Sequence, residues 1–326
     1  TVFVSKDREG SYFLFPFTMP QNVEKMTLVY NYERYQDNAK GMGFAERKEI
    51  NIIDLGLIAL DGRQVGASGS NKNEITVSDT FAKPGYSPCR LDPGEWAILV
   101  GAYKVAPGGV EVTYHLTFSE KHLRLFKGDL HVHTMASDGV CTIDELGWHA
   151  RHHGLDFLAI TDHNQMSMIG GFPKIPGLTL IPGIEWTHYL GHANFLGVDQ
   201  PYDAPFATNT FEEAQARFHS ARESGALIMI NHPFEEGCEF KFDLMELPFD
   251  CIEVWNGPMR TSNLRAVGLW QNLLASGYKI PACGGSDYHR DTPFSFLGGP
   301  TTCVLSQSPS PSDLLTALKQ GHAYVT

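Results

Sequence analysis

From Arg124 to the end of the chain, eight apolar runs of strand length alternate with polar loops and amphipathic segments: KGDLHVH, LDFLAIT, LTLIPGIE, ANFLGV, ALIMIN, DCIEVW, IPACGG and TTCVL. Such alternation constrains the fold more than any other feature, because it predicts a parallel α/β arrangement with helices packed on the sheet. Helix starts are marked where Thr142, Thr210 and Ser310 each stand three residues before an acidic residue, Glu145, Glu213 and Asp313, in capping-box fashion. Pro311 supports the last of these.

Upstream the rhythm differs. Between Thr1 and His122, β-like runs such as EKMTLVYNYERY, INIIDLGLIAL and EWAILVGAYKV are separated by Asp61-Gly62, Pro93-Gly94 and Pro107-Gly108-Gly109. Val110, Val112, Tyr114 and Leu116 alternate with Glu111, Thr113, His115 and Thr117, a strand with one wet face. The expectation is an N-terminal antiparallel β-sandwich domain over 1–122 and a second domain over 123–326.

In parallel α/β folds chemistry collects beyond the carboxyl ends of the strands, and there the unusual residues of this chain fall. The first run ends in Gly128-Asp129-Leu130-His131-Val132-His133, whose period of two puts both imidazoles on one face. Asp138 follows on the loop, and Asp162-His163 closes the second run with only one side chain able to point inward. Glu185 closes the third run, His192 opens the fourth, His232 closes the fifth, and Asp287 and His289 follow the seventh. A single strand-end histidine is more often a hydrogen-bonded rim residue, and a single aspartate a helix cap. Nine such groups together are different, because burying them without cations costs several kcal/mol each. The set fits two or three metal ions.

Composition agrees. All 14 histidines lie from His115 onward, and of 37 acidic residues 22 follow position 122 against 12 of the 25 basic ones. A net charge of −12 without a basic cluster makes duplex nucleic acid an unexpected partner, and no apolar run approaches the roughly 18 residues of a membrane span. The six cysteines form no CxxC pair and read as free, mostly packed thiols, which favours a cytoplasmic location. The opening TVFVSKDREG has no initiator Met or signal-like segment, so a trimmed start is expected. His149, His152 and His153 read as a solvated helix face.

The ordered motifs GDLHVHT with Ser137-Asp138-Gly139, then Thr161-Asp162-His163-Asn164, Glu185, Gly191-His192, Asn231-His232-Pro233 and Gly285-Ser286-Asp287-Tyr288-His289 resemble those of the polymerase and histidinol phosphatase (PHP) superfamily. Glu253-Val254-Trp255-Asn256-Gly257 and the β-rich N-terminal part resemble its carbaryl-hydrolase-like branch. This resemblance implies a distorted (β/α)7 barrel of PHP type with a trinuclear, sometimes dinuclear, centre at its mouth, the TTCVL run being peripheral. It places His131, His133, Glu185 and Asp287 on one metal, Glu185, His192 and His232 on a second, and Asp138, His163 and His289 on a third.

Ligation by nitrogen and oxygen alone suits zinc, manganese or iron(II) without choosing among them, and paired cations acidify a bridging water to hydroxide. The expected function is thus a metal-dependent hydrolase, foremost a phosphoesterase on a small molecule, with a carbamate or ester hydrolase as the alternative and a non-catalytic binding protein as the third reading. Asp129, Asp162 and Ser286 are expected to orient the imidazoles. His188 is a candidate for proton delivery, and Arg290 and Arg260 for phosphate. A neutral substrate would instead need an apolar wall, for which Trp186, Trp255, Tyr288, Phe294 and Phe296 are available.

Overall fold

A computed structural model describes residues 1–36, 48–167 and 171–326, whose contacts divide the chain into two units, Thr1–Lys121 and His122–Thr326. In the first unit eight strands form two four-stranded antiparallel sheets. The strands are β1 (Val2–Val4), β2 (Ser11–Met19), β3 (Val23–Tyr32), β4 (Ile52–Ile58), β5 (Gln64–Ser68), β6 (Glu74–Ser78), β7 (Gly94–Lys104) and β8 (Val110–Glu120). Their orders are β1-β8-β3-β6 and β2-β7-β4-β5. One buried cluster draws on both, with Leu28 and Val112 from the first sheet and Leu55 and Ile98 from the second, and the Tyr30 hydroxyl donates to Ile53 O at 2.8 Å from one sheet to the other. Pro16 is accommodated because β2 is an edge strand.

The second unit is built on nine strands: β9 (Arg124–Asp129), β10 (Phe157–Ile160), β11 (Thr179–His188), β12 (Gly191–Leu196), β13 (Leu227–Ile230), β14 (Cys251–Asn256), β15 (Ala282–Gly285), β16 (Thr302–Ser306) and β17 (Ala323–Val325). Their order is β15-β14-β13-β12-β11-β10-β9-β16-β17. All eight apolar runs are strands, but the sheet is mixed where the alternation predicted parallel pairing. Strand β12 runs antiparallel to β11 and β13, since the turn at Tyr189 and Leu190 is too short for a crossover. Strand β16, expected at the periphery, pairs antiparallel with β9 inside the sheet. Thr302 Oγ1 accepts from Gly284 N at 2.9 Å and donates to Gly284 O at 2.7 Å, tying β16 to β15 at the opposite end of the order.

Period-two alternation sorts the strand residues between two faces. Phe157, Leu227, Met229 and Cys251 share a central cluster with Leu314 and Leu318, while Ile228, Ile230 and Ile252 pack outward with Phe218. Burial on both faces is why these strands read as unbroken apolar runs. Among the described residues four α-helices flank them: α1 (Ile143–His152), α2 (Phe211–Glu223), α3 (Thr261–Ala275) and α4 (Pro311–Lys319). Thr142 and Glu145 form the full capping box of α1, and Thr210 and Ser310 accept from Glu213 N and Asp313 N. Helix α3 carries no side-chain cap at Arg260, and nothing in its sequence announced its start. Among the described residues no helix is long and apolar enough to cross a membrane.

Candidate metal centre

Strand β9 ends at Asp129, and the next two alternate residues, His131 and His133, turn their imidazoles to one side with ring centroids 5.2 Å apart. Both are completely buried. Opposite them stands Glu185 on β11, where the sheet brings five imidazoles to one carboxylate. Its Oε1 lies 3.2 Å from His131 Nε2, 3.1 Å from His192 Nδ1 and 3.4 Å from His232 Nε2. Its Oε2 lies 2.7 Å from His163 Nδ1 and 3.5 Å from His133 Nε2. Asp287 Oδ1 is 3.1 Å from His133 Nε2, 3.5 Å from His131 Nε2 and 3.7 Å from His289 Nδ1. Asp138 Oδ1 completes the other side, 3.1 Å from His289 Nε2 and 3.6 Å from His163 Nε2. All nine residues singled out at strand ends therefore meet in one cluster.

The donors fit divalent cations. His131 Nε2, both nitrogens of His133 and Glu185 Oε2 are buried without any well-formed hydrogen bond, a cost that coordination removes. The ligating atoms also fall into groups within 4.8 Å: His133, Asp138, His163 and His289; His131, His133 and Asp287; His131, Glu185 and His232. His232 and Asp287 have φ of 22° and 51°, strain of the kind that surroundings enforce at functional sites.

Electrostatics divide the imidazoles. Burial alone would lower the pKa of His131, but Asp287, Glu253 and Glu185 outweigh it and hold it well above the usual value. His232 behaves likewise, burial being outweighed by Cys238, Glu185 and Asp287. For His133 burial wins and the pKa falls. Glu185 and Asp287, which burial would push up, are held well below the ordinary carboxylate range by the imidazoles facing them, His131 foremost.

The supporting groups differ from those expected. Asp129 accepts backbone N–H groups of His131, Ser286 and Gly298 at 3.1, 3.0 and 2.9 Å, and burial pushes its carboxyl up to about 6. Asp162 accepts from Thr134 N at 2.7 Å, Thr134 Oγ1 at 2.8 Å and Ser137 Oγ at 2.6 Å, so it fixes the loop carrying Asp138. The Ser286 hydroxyl is buried without a well-formed hydrogen bond. None of these three orients an imidazole.

That task falls to Glu253, whose role the sequence reading missed. Buried on β14, Glu253 places Oε1 3.1 Å from His131 Nδ1, and its Oε2 accepts from His232 N at 2.9 Å and Asn256 Nδ2 at 3.1 Å. A proton held on His131 Nδ1 leaves Nε2 free to ligate. Gly285 permits the arrangement, for a Cβ there would lie 2.4 Å from His131 Cβ and 2.7 Å from Glu253 Oε1. Glu253 keeps the inward phase of Cys251 two residues earlier, the signal that could have found it. Glu253→Gln is expected to weaken metal binding roughly 10- to 100-fold, measured by titration calorimetry. An unchanged affinity would remove it from this role. Thr187 Oγ1, 2.7 Å from His163 Nδ1, and Asn231 Nδ2, donating to Glu185 Oε1 at 2.8 Å, were likewise unforeseen.

The other candidates stand apart. His188 stacks on Trp186 at 5.2 Å, with Nε2 3.2 Å from Thr208 O and Nδ1 accepting from Leu190 N at 3.0 Å, so both nitrogens are occupied away from the cluster. The structure does not bring it to the cluster. Arg260 is paired with Glu235 at 2.6 Å. Arg290 follows His289, is exposed, and makes no ion pair among the described residues. Trp186 and Tyr288 are core residues, not pocket wall, whereas Phe294 and Phe296 are exposed.

Solved structures similar to this chain include a two-domain Bacteroides vulgatus protein containing a PHP-like metal-dependent phosphoesterase (22% identity, TM-score 0.49, covering 63% of this chain and 65% of that one). Others are a metal-dependent phosphoesterase from Bifidobacterium adolescentis (17%, 0.36, 52% and 90%) and a lesion-specific endonuclease from Pyrococcus furiosus (16%, 0.45, 62% and 58%). The chain thus spans about two thirds of the length of the first. No curated protein matches it. Residues 129–246 match the family model described as PHP domain, and it is to that family that the stretch bearing His131, His133, Asp138, His163, Glu185, His192 and His232 is similar.

Proposed function

We propose that the second unit is a metal-dependent hydrolase acting on a small phosphoester. The observation that carries this reading is the convergence of five imidazoles on Glu185, with buried ligating atoms that have no other partner. His131, His133, Glu185 and Asp287 would hold one cation, Glu185, His192 and His232 a second, and Asp138, His163 and His289 a third, on a nine-stranded sheet read as a distorted barrel of PHP type. The N-terminal sheets are read as a β-sandwich. Such cations, zinc, manganese or iron, would acidify water and neutralise charge developing on the ester oxygens.

The side chains around them do the rest. Glu253 orients His131 and anchors the backbone of His232, and the buried rings exclude water from one side. Asp138, 57% exposed, opens the centre on the other side with His163 and His289, so substrate approaches there. Arg290 follows His289 in the chain, and its exposed guanidinium, without an ion pair among the described residues, suits a phosphoryl group.

Initial rates on an aryl phosphate, an aryl phosphodiester and an aryl N-methylcarbamate, with manganese, zinc or chelator added, test this reading. Metal-dependent cleavage of a phosphate substrate is expected, and Arg290→Ala is expected to raise KM about tenfold with kcat little changed. Cleavage of the carbamate alone would overturn the phosphoesterase assignment in favour of a neutral substrate lying against Trp255, Phe294 and Phe296.

A further inference from the structure

Ligation by nitrogen and oxygen alone does not exhaust the donors that the fold brings together. After His232 the chain turns back through Gly237, at φ 90°, and returns Cys238 to the same imidazole with Sγ 3.7 Å from His232 Nδ1. The ligating atoms of His192, His232 and Cys238 all lie within 4.8 Å of one another. His232 therefore faces two ways, Nδ1 toward the thiol and Nε2 toward Glu185. On that second side His131 Nε2 is buried without a hydrogen bond.

We propose that Cys238, with His192 and His232, forms a cation position of its own, selective for a thiophilic divalent ion such as Zn2+ over Mg2+ or Mn2+. Donors at the Zn–S and Zn–N distances of a tetrahedral ion stand ~3.6 Å apart, close to the 3.7 Å found between Sγ and Nδ1. Binding the ion releases the thiol proton and the His232 Nδ1 proton to solvent, and the thiolate is the softest donor near the cluster. Three protein donors leave the fourth position to solvent or substrate. The other five cysteines are buried elsewhere, so any thiolate signal from the folded protein belongs to Cys238. This inference rests on the reading above in that it shares His192 and His232 with the Glu185-centred cluster.

The test is Co2+ titration of the full chain, wild type and Cys238→Ser, followed by absorption. Visible d–d bands together with a near-ultraviolet thiolate-to-cobalt charge-transfer band are expected in the wild type, and loss of the near-ultraviolet band alone in the variant. Visible bands without the near-ultraviolet one in the wild type would overturn the Cys238 position while leaving the metallohydrolase reading intact. Absence of any cobalt band would overturn both. A measurement needing no variant is alkylation of Cys238 by iodoacetamide, read by peptide mass spectrometry. Zn2+ at about ten times its dissociation constant is expected to slow it about tenfold and Mg2+ not at all; equal rates in both would refute the proposal.

Discussion

Glu185→Gln is expected to lower turnover on the identified substrate by about 10^3-fold, because it removes the one carboxylate toward which five imidazoles converge. The amide keeps the shape and the acceptor for Asn231 Nδ2, so the loss reports charge more than packing. It also leaves His131 and His232 without an anion that keeps their pKa values high, and removing one member of a buried charged pair costs about 3–5 kcal/mol in the metal-free protein. Turnover and thermal unfolding of the variant, each with and without added metal, separate the two effects. A turnover within tenfold of wild type would place the chemistry elsewhere.

Chelation is expected to abolish activity and lower the unfolding temperature of the second unit. A ligand present at 1,000 times its dissociation constant stabilises by about 4 kcal/mol, which for a unit of this size corresponds to about 10 °C. The sign of the pH dependence follows from the groups that must deprotonate. His131 and His232, held above the usual imidazole value in the metal-free protein, give stability there that is present at low pH and lost as pH rises through their folded values. Glu185 and Asp287, held low, give stability present at neutral pH and lost only on strong acidification. Metal must displace the imidazole protons but none from the carboxylates, so apparent affinity rises with pH. The difference in unfolding temperature with and without chelator should widen from about pH 6 to about pH 8. A constant difference would mean that neither imidazole ligates.

How much of this was legible follows from the range of each interaction. The eight strands from β9 to β16 and three of the four helices were readable because periodicity and capping are short-range: His131 and His133 share a side through the two-residue repeat, and Thr142 caps α1 through a residue three positions on. The cluster residues were readable because ionisable groups at strand ends are costly unless they serve one another. Pairing direction was not readable in the same way. Strand β12 is as apolar as its neighbours, and only the two-residue turn before Gly191 makes it antiparallel. Helix α3 escaped notice because Arg260 offers no cap.

Residues near the cluster in sequence part from it in the fold. His188 stands three residues after Glu185 and His192 seven, yet β11 carries the nearer one past the cluster onto Trp186 while the turn brings His192 back to Glu185. Trp186 and Tyr288, adjacent to site residues in the chain, face the core. By itself the sequence determined which residue types end which strands, and hence that the second unit concentrates metal donors at one edge of a sheet, since those patterns are set by local backbone geometry. Only the tertiary structure decided that Glu253 orients His131, that Asp162 serves a loop, and that Cys238 returns to His232. The first two contacts join separate segments of the chain and the third depends on how the turn after His232 is folded back, so nothing local to either partner encodes its distance.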